Sequence, residues 1–180
     1  MQNNYTIEID ALSNQFKSHF GILNKDDMNK KSAPDKWSIA QNIHHLIVIN
    51  SSYFPIFDEL IKGTYKAPIH AKFSIFPKHL GNIILSSVNE DRNKKVKTFP
   101  IWEPSNSKFD INILPDFVKH QEILKNYFVK LEKFMNTGCV IHSPANKFIV
   151  YDIDTAAKVI IKHEKRHLNQ ALEMLEVIKS

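Results

Sequence analysis

Residues 162–175, KHEKRHLNQALEML, decide the fold, because apolar residues and two histidines recur in them at steps of three and four. This spacing is typical of an amphipathic helix. We predict a last helix that is capped by Asp152 or Asp154 and runs to about Ile178. Two histidines then occupy core positions where leucine or isoleucine is usual. The predicted inward stripe consists of Ala156, Ile160, His163, His167, Ala171, Met174 and Ile178.

The histidine pair on this helix has two explanations. Burying an imidazole without a partner costs on the order of 1 to 3 kcal/mol, so His163 and His167 need compensation. Residues at i and i+4 lie one above the other, and both rings can reach one divalent ion about 2.0 to 2.1 Å away. Two hydrogen-bonded core histidines are the alternative. The pair by itself leaves both explanations open.

Other long helices are indicated by the same periodicity. The 180 residues include only four glycines, and apolar residues recur mostly at three and four. A first helix is predicted from about Thr6 to Ile22, and a third from Pro115 to just before Gly138. Four long amphipathic helices predict an all-α fold, an antiparallel four-helix bundle. The length fits a single domain over residues 1–180.

The second long helix begins at Ser38, where the sequence WSIAQ matches a capping box with Gln41 as its second member. It is predicted to end before Gly63, which would adopt a left-handed conformation. Pro55 lies inside the run. Because proline removes a helical hydrogen bond and crowds the preceding turn, we expect a kink or a break near residues 51–52.

The middle of the chain, residues 63–112, is the least regular part. A short helix is predicted around Lys78–Asn89, followed by an extended loop through KTFPIWEPSNSKFD (97–110). Loops of this length are usually functional or poorly ordered. Segment 62–97 carries eight basic and two acidic residues. It is either a solvated lysine-rich loop or a segment that attracts an anionic substrate.

The composition excludes several classes of protein. With 43% hydrophobic and 24% charged residues, the chain is typical of soluble globular proteins. No apolar run approaches the roughly 18 residues of a membrane span, and no signal-peptide pattern is present, so we expect a cytoplasmic protein without membrane contact. A single cysteine, Cys139, excludes an internal disulfide, so any metal must rest on His, Asp or Glu. The net charge of +5 is too modest to predict nucleic-acid binding.

A third metal ligand would have to lie on a facing helix. The second helix offers His44 and His45, which point about 100° apart. His44 shares its direction with charged residues, whereas His45 shares its direction with Asn42 and Ile49, so we select His45. A hydrogen-bonded core histidine is again the alternative. His120 on the third helix lies on an apolar side and ranks below the others as a residue of the same pocket.

Two motifs resemble a known family. KWSIAQNIHHL (36–46) resembles a motif in which a Trp-Ser pair opens the second helix and a His-Leu pair follows, and HEKRHLNQ (163–170) resembles a closing H-x-x-x-H-x-x-Q. Both motifs resemble those of the DinB-like superfamily, which includes the YfiT-type metalloenzymes. This chain departs from the family in Gln41, where an acidic residue is frequent, and in its long middle insertion.

The resemblance implies a four-helix bundle with a divalent ion, zinc or nickel, held by His45, His163 and His167. Gln170 matches a polar position that could orient a ligand from the second coordination sphere. The implied activity is that of a thiol S-transferase that presents a metal-bound thiolate, bacillithiol-like, to an electrophile. A metal-dependent hydrolase and a non-catalytic metal-binding stress protein are the alternatives. A small-molecule substrate and a homodimer are also expected.

Overall fold

The structure, a computed structural model, describes residues 4–72, 75–88, 100–105 and 108–179. Most of these residues are helical, which confirms the helical class predicted from the sequence. Short 3₁₀ helices cover Ile69–Lys72, Pro100–Trp102 and Glu132–Phe134. The helices are α1 (Asn4–Phe20), α2 (Lys25–Asn29), α3 (Ile39–Ser51), α4 (Phe54–Lys62), α5 (Ile75–Ser87), α6 (Ile113–Leu131) and α7 (Ile153–Lys179), and the strands are β1 (Val140–His142) and β2 (Val150–Asp152).

The start of α3 is the capping box that the sequence predicts. The backbone N–H of Gln41 donates to the Ser38 hydroxyl at 3.1 Å, and the N–H of Ser38 donates to the Gln41 side chain at 3.1 Å. The Gln41 amide nitrogen also donates to the carbonyl of Ser105 at 3.1 Å. A carboxylate could not make this last bond, which gives glutamine a reason to replace an acidic residue here.

The predicted break in the second helix is confirmed. Helix α3 ends at Ser51, and α4 begins at Phe54 with Pro55 in its first turn, where the missing N–H costs nothing. Helix α4 ends at Lys62 and is followed by Gly63, whose φ of 71° lies in the left-handed region that glycine adopts without strain. The resulting step between α3 and α4 places Tyr53 at the junction.

The last helix begins at the first of its two predicted caps. The Asp152 carboxylate accepts the backbone N–H of Thr155 at 2.7 Å, whereas Asp154 accepts the N–H of Asn136. The predicted inward stripe of α7 is buried up to Met174, and Ile178 is half-buried. Both histidines of the stripe therefore lie inside the protein.

Helices α1, α3, α6 and α7 share one hydrophobic core. Helix α1 packs against α6 and α7, and α3 packs against the same two helices. Phe16 and Phe117 meet with ring centroids 4.6 Å apart, and Phe57 and Phe128 are also fully buried. Two ion pairs of 2.6 Å join α1 to its neighbours, Asp10 to Lys125 of α6 and Glu8 to Lys165 of α7. Because these pairs are partly exposed to solvent, they add little to stability.

Several elements differ from the sequence predictions. Helix α2 and the antiparallel pair β1–β2 lie in segments for which no helix or strand was predicted, and α6 gives way to a 3₁₀ turn at Glu132 instead of continuing to Gly138. Helix α5 begins three residues before the predicted Lys78. Its predicted end at Asn89 and the basic residues of 89–99 lie outside the described residues. No described helix has the length and apolar character needed to cross a membrane.

Candidate metal centre

Three histidine side chains converge between α3 and α7. Helix α3 supplies His45, and α7 supplies His163 and His167, which lie one turn apart. The Nε2 atom of His163 is 3.3 Å from Nε2 of His45 and 3.1 Å from Nε2 of His167. All three rings are at most 9% exposed. The structure therefore brings together the three residues selected from the sequence.

The outer nitrogens of two rings are held by oxygen acceptors. Nδ1 of His45 donates its proton to the carbonyl of Trp102 at 2.7 Å, and Nδ1 of His167 donates to Oδ1 of Asn42 at 2.8 Å. The Asn42 amide is oriented in turn, because its nitrogen donates to the carbonyl of Ser38 at 2.9 Å. With the protons on Nδ1, the neutral rings direct the Nε2 lone pairs at each other.

The spacing of the inner nitrogens fits a divalent ion. Two ligands about 2.0 to 2.1 Å from a tetrahedral centre lie about 3.3 Å apart, and the measured separations are 3.3 and 3.1 Å. Nε2 of His163 has one proton or one lone pair, and it lies within hydrogen-bond distance of two ring nitrogens. The three nitrogens could hold a metal ion together.

Burial keeps the rings in the form that binds metals. Desolvation lowers the pKa of His45 to about 4 and lowers the pKa of His163 well below its ordinary value. Both rings are neutral near pH 7, and a metal ligand has to be unprotonated. Trp37 shields the cluster on one side: its ring stacks on His167 at 5.6 Å and lies 4.9 Å from His45 between centroids.

The other sequence candidates lie elsewhere. His44 points away from the cluster, but it is half-buried against Phe109 rather than on a solvent face. His120 is buried and stacks on Phe54 with centroids 5.3 Å apart, and it is not among the described residues that line the cavity at the cluster. His120, the lower-ranked candidate for this pocket, therefore lies outside its described lining. Gln170 does line the cavity, and its orienting role stays a prediction.

Asn42 and Trp102 are the residues that sequence reasoning missed. Asn42 had a signal, because it lies one turn before His45 on the same face of α3. Trp102 had none, because it acts through its backbone carbonyl and reaches His45 only after the chain has returned from α5. Such partners fix the tautomer and the direction of a ligating ring.

Residues 163–167, HEKRH, also match the H-E-x-x-H pattern of zinc peptidases, in which the glutamate is the general base. Glu164 is not placed for that role. Its side chain is 0% exposed, and Oε1 accepts the amide protons of Asn50 at 2.7 Å and Gln121 at 2.8 Å. Burial raises its pKa to about 7. Because Glu164 faces α3 and α6 and is not among the described residues lining the cavity, it cannot serve a substrate there.

The cluster opens into a cavity of about 1030 Å³. This volume is far more than a metal ion needs and lies at the upper end of small-molecule sites. Lys36 and Arg166 belong to its lining, and Nη1 of Arg166 donates to the carbonyl of Ser87 at the end of α5 at 2.9 Å. The acidic residues Asp35 and Glu173 line the cavity as well, so its described lining carries two basic and two acidic residues.

The fold and the cluster define the class: a mostly helical protein with a buried three-histidine site that could hold a metal ion. The model of the DinB superfamily matches residues 8–171. The chain therefore belongs to the DinB superfamily, which confirms the family indicated by its two motifs. Comparisons with curated proteins and with solved structures found no match.

Proposed function

We propose that His45, His163 and His167 bind a divalent ion, zinc or nickel, in a catalytic site. The observation that carries this proposal is the convergence of three Nε2 atoms at ligand spacing, two of them with lone pairs fixed inward by Trp102 and Asn42. Imidazole nitrogens suit both zinc and nickel. Three protein ligands leave a coordination position for a substrate, as in catalytic rather than structural sites.

The reaction that we propose is thiol S-transfer. When bound, the ion would supply the Lewis acidity that deprotonates a thiol near pH 7. The sulfur then forms a bond to an electrophilic carbon of the second substrate, and the leaving group departs with the bonding electrons and takes up a proton. The cationic groups of Lys36 and Arg166, which line the cavity together with Asp35 and Glu173, would pair with the carboxylates of a low-molecular-weight thiol such as bacillithiol.

A metal-dependent hydrolase is the second candidate function, since the same ion could activate water. The position of Glu164 favours the transferase: the residue that acts as base in H-E-x-x-H hydrolases is here bonded to Asn50 and Gln121 in the core. A thiol needs no such base once its pKa is lowered. A stress protein that holds the ion without turnover is the third candidate.

We further infer a cytoplasmic homodimer in which α1, α3, α6 and α7 form an antiparallel four-helix bundle. The pairwise packing of these helices supports the bundle. The single cysteine is consistent with a reducing compartment, and twofold assemblies are common. Sedimentation of the purified protein at several concentrations tests the dimer.

Metal analysis tests the site. We expect close to one divalent ion per chain in the purified protein, and none in a variant that carries both His163→Ala and His167→Ala. His44→Ala is the matched control to His45→Ala, because it removes the neighbouring imidazole on the same helix. Adding a thiol to the cobalt-substituted protein should change its visible spectrum. Equal metal content in all variants defeats the site, and a thiol-insensitive cobalt spectrum defeats the transferase.

A further inference from the structure

The cavity continues well beyond the three-histidine cluster. On α3 and just after it, Asn42, His45, Ile49 and Tyr53 line it on successive turns. Eight residues separate His45 from Tyr53, which corresponds to about 12 Å at 1.5 Å per residue. Ser52 and Tyr53 keep right-handed helical dihedral angles, so the direction of the helix persists to that point. The part of the cavity between the cluster and Tyr53 is called the inner chamber below.

The wall of the inner chamber is apolar. Ile49 from α3, Ile84 from α5 and Val159 from α7 line it from three sides. The charged lining residues in the described part of the chain belong to the other half of the cavity: Asp35 and Lys36 precede α3, and Arg166 and Glu173 follow His163 on α7. An ion would therefore enter the inner chamber without a charged partner, at a high desolvation cost.

A cluster of hydroxyl groups closes the far end. The phenol oxygens of Tyr53 and Tyr151 are 2.8 Å apart, and the Ser143 side chain shares a hydrogen bond with Tyr151. All three residues line the cavity and are at most 5% exposed. Burial raises the pKa of both phenols, so they stay neutral. Each phenol oxygen has one donor and two acceptor sites, so this end can still donate to and accept from a ligand.

We propose that the inner chamber binds an electrophile with an apolar body and a neutral hydrogen-bonding end group, such as a primary amide or an alcohol. This inference rests on the transferase function proposed above. The thiol would occupy the half of the cavity that contains Lys36 and Arg166, and the electrophile would occupy the inner chamber with its end group at Tyr53 and Tyr151. The three-histidine cluster lies between the two halves, where sulfur and carbon have to meet.

Fluorescence gives a readout that does not depend on catalysis. Trp37 and Trp102, the two tryptophans of the chain, both line the cavity. Octanamide and octanoate are titrated into the purified protein, with and without a chelator. The chelator removes any bound metal, to which the carboxylate of octanoate could otherwise bind. We expect octanamide to bind at least tenfold more tightly than octanoate in the chelated protein. Equal affinities for octanamide and octanoate would overturn the proposal that the end group is neutral.

Tyrosine variants test the end wall. Tyr53→Phe and Tyr151→Phe each remove one hydroxyl, and we expect octanamide affinity to fall about tenfold while that of 1-chlorooctane stays constant. Tyr127→Phe is the matched control, because its hydroxyl bonds to Asp58 away from the described cavity lining. Unchanged octanamide affinity in both Tyr53→Phe and Tyr151→Phe would remove the hydroxyl cluster from the binding site.

Filling the chamber tests its position. Val159→Phe and Ile84→Phe add a ring to its wall from different helices, and both should weaken octanamide at least tenfold without lowering metal content. Val129→Phe adds the same ring on the exposed side of α6 and should change nothing. Octanamide affinity unaffected by either filled wall refutes the chamber. A thiol-insensitive cobalt spectrum with octanamide binding intact refutes the transferase alone.

Discussion

Replacing Glu164 tests whether this residue is a structural tie or a catalytic base. The structure shows it fully buried on α7, where Oε1 accepts amide protons from Asn50 on α3 and Gln121 on α6. Two variants separate the roles. Glu164→Ala removes the acceptor, whereas Glu164→Gln keeps the size and the acceptor but removes the ionisable group that a base needs.

The expected energies follow from the two amide groups. In Glu164→Ala, the buried amides of Asn50 and Gln121 lose their acceptor, at about 1 to 3 kcal/mol each, and the empty space adds on the order of 2 kcal/mol. We expect a loss of at least 4 kcal/mol in the free energy of unfolding. In Glu164→Gln, one amide oxygen can accept both bonds. Its NH₂ group can serve Gln121 Oε1, which has no hydrogen-bond partner among the described residues.

The free energy of unfolding of Glu164→Gln should therefore lie within about 1 kcal/mol of the wild-type value or exceed it. The substitution also removes a carboxyl group whose pKa is raised by burial, which is a group that is costly to keep in the core. Urea denaturation followed by circular dichroism measures both variants. Metal content and the thiol response of the cobalt protein should be unchanged in Glu164→Gln. A stable Glu164→Gln protein that has lost its response to thiol, or equal stabilities of the two variants, would refute the reasoning.

The remaining predictions concern three other residues. Burial lowers the pKa of His120 from an ordinary 6.5 to about 4, so the unfolded chain takes up a proton first and the free energy of unfolding falls as the pH falls. Between pH 6.5 and pH 4, the free energy of unfolding of His120→Phe should therefore rise by about 3 kcal/mol relative to that of the wild type, as measured by urea denaturation. A difference between the two proteins that does not change with pH would contradict this. Asn42→Leu removes the acceptor of His167 Nδ1 and should weaken zinc binding about 10- to 100-fold in chelator competition. Asn29→Leu is the control, because Asn29 accepts a hydrogen bond from Phe109 and not from a histidine of the cluster. Ser38→Ala should lower the free energy of unfolding by about 0.5 to 2 kcal/mol in urea denaturation, and an unchanged value would exclude the capping contribution.

The long helices and the histidine cluster were predictable because both depend on local periodicity. His45, His163 and His167 follow from residues that share a face at steps of three and four. The capping box at Ser38 and the break before Pro55 follow from local backbone chemistry in the same way. In each case, the pattern that carried the prediction lies within a few turns of one helix, although the contact of His45 with His163 joins two helices.

What the sequence did not predict depends on contacts between distant segments. The pair β1–β2 is three residues long on each side, too short for an alternating pattern to appear. The partner of His45 is a backbone carbonyl 57 residues away, and a carbonyl has no sequence signature. His120 lies on the apolar side of α6 as expected, but Phe54 covers it, and that contact depends on how α4 turns after the break.

The directions of the side chains around α7 explain how one helix can supply two histidines to the cluster without supplying a base. Neighbouring residues point about 100° apart, so His163 and Glu164 cannot both face the cavity. The hydrogen bonds of Glu164 to Asn50 and Gln121 hold its side chain in the core. With α7 in this orientation, His163 and His167 face His45. Arg166 reaches the same cavity and contacts the end of α5. Helix α7 therefore directs His163, His167, Arg166 and Glu173 to the cavity and keeps Glu164 in the core, away from the position that a glutamate base would need beside the cluster.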